Sequence, residues 1–408
     1  MSPVLNVSSE VGQLRRVIVH RPGLELARLT PSNAAELLFD DVPWLERAEE
    51  EHDAFSAALT EAGAEVLHFD ELLRRTLAVP EAVAHVLDET ITERQFGPGL
   101  ANALREYLDD ATPDTLYRVL VGGLTKAEAL ERIPRPPSVP FGVAHDNDFL
   151  VTPLTNHLFA RDATCWIGNG VSVNAMQALT RRREAVNYRA ILRWHPLFAS
   201  ADFQFWSDDL GTGEATVEGG DVLVPTPEAL LVGISQRTTP QGIERLALRL
   251  FTAGVVDRIL AVRLPDRRAF MHLDTVLTMV DEESFLLYGD LPEPECYLIR
   301  PGNGRRPLHT EQLGGTLAEN LAAAVGLSQV RVLTTAQDAF ARERDQWNDG
   351  CNVLALRPGI VVGYERNTAS IADLKSGGID VIEVPGSELG RGRGGPRCMS
   401  CPIERAPL

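Results

Sequence analysis

The chain has 408 residues, 44% of them hydrophobic and 24% charged, enough apolar material for a large core and, at about 150 residues per domain, for two or three domains. Its 39 basic residues against 57 acidic ones leave a formal charge of -18, which repels phosphate backbones and excludes nucleic acid as the expected partner. No stretch approaches the ~20 uninterrupted apolar residues of a membrane span, and residues 1–16 lack the apolar core of a signal peptide. Five cysteines without framework spacing fit a reducing compartment, so a cytoplasmic protein with no membrane partner is expected. The acidic balance suits a small cationic substrate, although solubility is the default reading of such a charge.

In chain order, an apolar strand in RRVIVHRPG (15–23) precedes an amphipathic helix over 44–64 and a strand in EVLHF (65–69). From about Glu71 to Ala144 the pattern turns helical, with PEAVAHVLDETI, PGLANALREYLDD and TPDTLYRVLVGGL. The proline-rich IPRPPSVP closes this stretch, because proline and the residue before it disfavour helix. A hairpin pattern then begins at Cys165 (CWIGNGVSVNAMQAL). The clearest unit begins at Asp221: two strands about a Pro-Thr-Pro-Glu turn, a helix over 241–254 and a return strand RILAVRL. Another hairpin begins at Asp274 (DTVLTMVDEESFLLYG). A last full unit follows Asp349, with NVLALRPGIVVGYE, NTASIADLKSGG and IDVIEVPG. About five modules of strand, strand, helix, strand predict an α/β fold, with 1–70 and 145–408 as its body and 71–144 as an inserted all-helical subdomain. Units of this kind bury their apolar faces on one another, and a closed ring of them would leave a central site.

Four polar clusters fall where strands begin or end. FARD carries Asp162 beside Arg161, with Asn156 just upstream; EGGDV carries Glu218; MHLDTV carries His272 and Asp274; RGRGGPRCMSCPI carries Cys398. Asp162 alone reads as a turn former, the glycines after Glu218 as a bulge, and His272 as a core histidine. His272 and Asp274, two apart on an expected strand, point to one face. The glycine-rich loop around Cys398, flanked by arginines, predicts a thiol pKa below its usual value. Cys398 and Cys401 also spell CxxC, but Cys165, Cys296 and Cys351 are scattered singly, so zinc is not expected and no metal site is assigned. As a set, the cysteine, histidine and carboxylates suit a guanidinium substrate: carboxylates clamp the planar cation, a thiolate adds to its central carbon, and a histidine moves the protons.

FARD, EGGD, HLD and RCMSCP in that order, with RLTPSNAAELLFDDVPW near the start and WNDGCNVLALRPGIVVGYERN later, resemble bacterial arginine deiminases from end to end. The resemblance implies a pentein fold, a five-module α/β propeller. It also implies hydrolysis of L-arginine to L-citrulline and ammonia without a cofactor, an amidinotransferase or arginine dihydrolase being the alternatives that would use the same site. By the same resemblance Cys398 is the nucleophile, His272 the general acid and base, Asp162 and Asp274 the guanidinium clamp, and Glu218 the support of histidine and substrate. Arg181 and Arg237 then hold the substrate carboxylate, while Asn156, Phe159, Leu38, Gly392 and Arg393 line the pocket. A homo-oligomer is also expected. Two departures from the family pattern stand out, Ala160 in FARD and Arg397 next to the nucleophile; Arg397 is expected to affect the thiol, in a direction the sequence does not set.

Overall fold

The computed structural model describes residues 5–208, 213–335 and 338–408. Five sheets repeat one plan, an antiparallel pair of strands, one of which pairs in parallel with a third reached through a helix. In the third sheet the strands are Val222–Thr226, Ala229–Ile234 and Arg258–Arg263, with helix Pro240–Ala253 between the last two. That helix starts where Thr239 accepts from the Gly242 amide and Pro240 presets the first turn, and it stops at Gly254, whose φ of 68° is cheap only for glycine. The fifth sheet repeats the plan with Leu354–Arg357, Ile360–Tyr364 and Asp380–Val384.

The second sheet (Thr164–Ile167, Gly170–Val173, Gln204–Ser207) and the fourth (Leu277–Asp281, Ser284–Leu287, Arg331–Leu333) follow suit. A further hairpin, Cys296–Asn303 with Arg306–Leu313, extends the third sheet to five strands and has no counterpart in the sequence reading. The first sheet is assembled from the two ends of the described chain: Leu14–Val19 pairs in parallel with Glu65–His68 and antiparallel with Ser400–Arg405. The segment just before Ser400, which carries Cys398, is thereby anchored beside the first strand.

Helices Phe69–Thr76, Pro80–Thr90, Glu93–Leu108 and Pro113–Gly122 make up most of the helical stretch, joined by a short ladder of Leu124–Thr125 with Phe149–Val151. Their apolar faces join Val171, Val173 and the helix Arg182–Trp194 in one buried cluster that includes Phe69 and Tyr188. Each large side chain buried in this way supplies roughly 1.5–3 kcal/mol before conformational entropy is counted. Among the described residues, no helix is long and apolar enough to cross a membrane.

Candidate active site

Each sheet contributes a polar residue just before one of its strands, and these segments are stitched together in sequence around the molecule. The Arg161 amide donates to Cys398 O at 3.1 Å, the Gly219 amide to Asp162 O at 3.0 Å and the Leu273 amide to Asp221 Oδ1 at 2.8 Å. Asn352 Nδ2 donates to Asp274 O at 3.1 Å, and the Cys398 amide to Asn352 Oδ1 at 3.0 Å, which returns to the starting segment. Cys398, Asp162, Glu218, His272 and Asp274 are all buried. His272 and Asp274 do not lie on a strand, as their spacing suggested; His272 immediately precedes, and Asp274 lies within, a single 3-10 turn, Leu273–Thr275, before the strand at Leu277. The turn sends the two side chains to different partners, which a strand would not.

His272 Nε2 meets Glu218 Oε2 at 2.9 Å, and Nδ1 faces Asp162 Oδ1 at 3.8 Å. Burial alone would push the imidazole down, yet Asp162, the hydrogen bond to Glu218 and the charge of Asp221 outweigh it and raise the pKa to about 9. Burial likewise disfavours the charged forms of Asp162 and Glu218, but His272 and the arginines beside them hold both carboxylates below their usual range. The resting pair is therefore an imidazolium between two carboxylates, a ready proton donor. Gly220 lies against the ring: a Cβ there would sit 2.6 Å from His272 Nδ1 and 3.0 Å from Asp162 Oδ1. Gly220→Ala is accordingly expected to cut turnover at least about 100-fold by displacing the imidazole; an unchanged kcat would show that this ring position is unimportant.

Cys398 Sγ lies 3.6 Å from Asp274 Oδ2 and accepts from Asn352 Nδ2 at 3.1 Å. Burial, followed by Asp274, Asp162 and Asp349, pushes the thiol well above its usual value. The arginines flanking it were expected to do the opposite, and the structure shows why they do not. Arg391 pairs with Asp41 and Glu388, Arg393 stacks over Trp347 with its guanidinium carbon 3.7 Å from the ring centroid, and Arg397 faces Asp274 and Glu10. With burial and these carboxylates around it, the resting sulfur is held as a thiol.

The remaining pocket residues divide into two groups. Leu38 (φ 64°) accepts at its carbonyl from Arg268 Nη2 at 2.9 Å, Phe39 stacks with Phe159 at 6.3 Å, and a Cβ on Gly392 would come within 2.8 Å of both rings. Asn156 gives its Nδ2 to Leu37 O at 2.7 Å, tying that segment down. Arg181 is largely committed, to Asp162 at 2.7 Å, to Glu184 at 2.9 Å and to Asn156 O at 3.2 Å. Among the described residues, Arg237 Nη1 and all three Arg393 nitrogens are buried without a hydrogen-bond partner. Asp162, Glu218 and His272 bring their ligand atoms within 4.8 Å of one another, a donor set that suits a cation, and the Arg181 guanidinium already stands 2.7 Å and 3.7 Å from its two carboxylates. Cys401 turns away from Cys398 toward Thr164, at 3.5 Å from its hydroxyl.

Sequence reasoning missed Asn352 and Glu10. Asn352 could have been found, because it precedes the fifth sheet's first strand as Asp162 precedes that of the second. Glu10 carries no such signal.

A family model described as arginine deiminase matches residues 35–405. Among solved structures, the amidinotransferase SxtG from Microseira wollei superposes with a TM-score of 0.56 at 16% identity, covering 100% of this chain and 98% of that one. The inosamine-phosphate amidinotransferase StrB1 from Streptomyces griseus gives 0.54 at 14% identity over 99% and 98%. The N-terminal domain of ArgZ, a cyanobacterial arginine dihydrolase, gives 0.53 at 12% identity over 96% and 97%. These likenesses define the class of fold, one shared by two amidinotransferases and an arginine dihydrolase. Within that class, the chain belongs to the arginine deiminase family.

Proposed function

We propose that this protein hydrolyses L-arginine to L-citrulline and ammonia through a covalent amidino-thioether on Cys398. The observation that carries the reading is the pairing of a buried thiol 3.6 Å from Asp274 with an imidazolium set between Asp162 and Glu218. A guanidinium held by Asp162 and Asp274 supplies the positive charge that burial denies the sulfur, so substrate binding itself favours the thiolate. The Sγ–Cζ bond forms, and the bond to one terminal nitrogen breaks as His272 delivers its proton to the departing ammonia. Neutral His272 then takes a proton from water, the oxygen adds to Cζ, and the Cζ–Sγ bond breaks. Thiolate and imidazolium return and the urea group of citrulline is left; its hydroxyl proton passes to solvent, where the freed ammonia becomes ammonium, and the thiolate regains from solvent the proton it gave up when the substrate bound.

The substrate carboxylate is assigned to Arg237 and Arg393, because Arg237 Nη1, 3.9 Å from Glu218, and all three Arg393 nitrogens make no hydrogen bond among the described residues, with Arg181 mainly holding Asp162. Leu38, Phe159, Gly392 and Asn156 shape the walls of this pocket. The five sheets are taken as units around a pseudo-fivefold axis, a reading supported by the run of hydrogen bonds from Cys398 through Asp162, Asp221, Asp274 and Asn352 back to Cys398, with residues 71–144 as an insertion. The test is product analysis with L-arginine, agmatine and methylated arginine, each with and without an amine acceptor. Citrulline and ammonia in equal amounts are expected from L-arginine alone. Ornithine with two ammonia equivalents, or a new guanidino compound formed only with the amine, would replace this reading by a dihydrolase or an amidinotransferase.

A further inference from the structure

Arg397 sits next to Cys398, yet its charge is directed away from the sulfur. Its side chain is buried, with Nη1 donating to Asp274 Oδ2 at 2.8 Å, Nε to Glu10 Oε2 at 3.2 Å, and Nη2 to Glu10 Oε1 at 3.1 Å and Val222 O at 2.8 Å. Glu10 is itself fixed, since its Oε1 accepts the Val224 amide at 3.0 Å. Burial would raise the Glu10 carboxyl, but Arg397, Arg161 and Arg405 hold it down at about 2, so its charge is permanent across the working pH range. Asp274 Oδ1, by contrast, is buried without any hydrogen-bond partner among the described residues.

We propose that Arg397, braced by Glu10, is a positioning residue that pins one oxygen of Asp274 and leaves the other aimed into the site for the substrate guanidinium. A guanidinium can do this because its planar fork reaches two carboxylates at once, which a lysine ammonium on a flexible stem does less well. Charge supports the assignment. Asp274 faces the Cys398 sulfur, Arg397, and more distantly Arg161 and Asp349, while the triad of Glu10, Arg397 and Asp274 carries one net negative charge. A bound guanidinium neutralises that charge; a bound neutral molecule does not.

The inference rests on the arginine reading, so the experiment begins with calorimetric titration of L-arginine and L-citrulline into Cys398→Ala protein. Adding Arg397→Met to that background is expected to weaken L-arginine at least about tenfold and L-citrulline less than about threefold, because only the cation depends on a fixed Asp274 charge. Arg397→Lys is expected to restore part of the arginine affinity, and Glu10→Gln to lower it in the same direction by less. Thermal melts establish that each variant is folded; should Arg397→Met not fold, the lysine and Glu10→Gln variants carry the comparison. Equal weakening of both ligands, or none, in folded variants overturns the positioning role alone. Failure of the Cys398→Ala parent to bind L-arginine overturns the substrate reading and this inference with it.

Discussion

Replacing the nucleophile, Cys398→Ala, is expected to abolish citrulline formation to the limit of detection while leaving L-arginine binding measurable. On the function proposed above the Cys398 sulfur forms the bond to the guanidinium carbon, and without it the remaining residues can hold the substrate but cannot divide the reaction into two displacements. Binding survives because the clamp and the carboxylate site use other side chains: Asp162 is held by Gly220 and Arg181, and Arg237 Nη1 and the three Arg393 nitrogens stay without hydrogen bonds among the described residues. Removing a thiol whose ionisation is opposed by burial and three carboxylates also takes nothing from the charge balance of the resting site. Measured side by side, a colorimetric citrulline assay and a calorimetric titration decide the matter. Substantial turnover by the alanine protein would end the covalent mechanism.

The second large effect concerns Glu218→Gln. The wild-type imidazole, at about 9, keeps its proton through neutral pH because Asp162 and the Glu218 hydrogen bond outweigh burial. Removing the Glu218 charge lowers that pKa, so the alkaline limb of the rate profile moves toward neutrality by about one unit or more. At neutral pH kcat falls at least about 100-fold, since the amide can also hold the ring in the wrong protonation state. The linkage sign is definite: a histidine raised in the folded state stabilises fully below its unfolded value near 6.5 and loses that contribution as pH rises through about 9. The melting-temperature gap between wild type and variant should therefore be wide at about pH 6 and narrow at about pH 10. A gap that ignores pH, or an unmoved alkaline limb, would detach Glu218 from the proton chemistry.

What could be read from the chain was the local grammar. The Pro-Thr-Pro-Glu hairpin, the helix stopped at Gly254 and the unit after Asp349 fold as their hydrophobic periods dictate, because each depends on contacts within some forty residues. The order of the polar clusters likewise placed Asp162, Glu218, His272, Asp274 and Cys398 at the edges of successive units. What failed depended on partners remote in sequence. The turn at Leu273–Thr275 is set by the Leu273 amide donating to Asp221, more than a module away, and overrides the strand pattern. The arginines near Cys398 were legible as charges but not as charges already matched, since Asp41, Glu10 and Asp274 come from distant stretches. Neither the pairing of Ser400–Arg405 with Leu14–Val19 nor the bracing by Glu10 leaves a mark in any local window.

That pairing bears on how the enzyme comes to life. The strand following Cys398 is translated long after its neighbour Leu14–Val19, whose edge stays open until that strand arrives. Contacts so far apart in sequence are slow to establish. A chain lacking residues 400–408 keeps Cys398 but not the strand pairing that anchors its segment beside Leu14–Val19, so on the function proposed above its arginine turnover is expected to be lost.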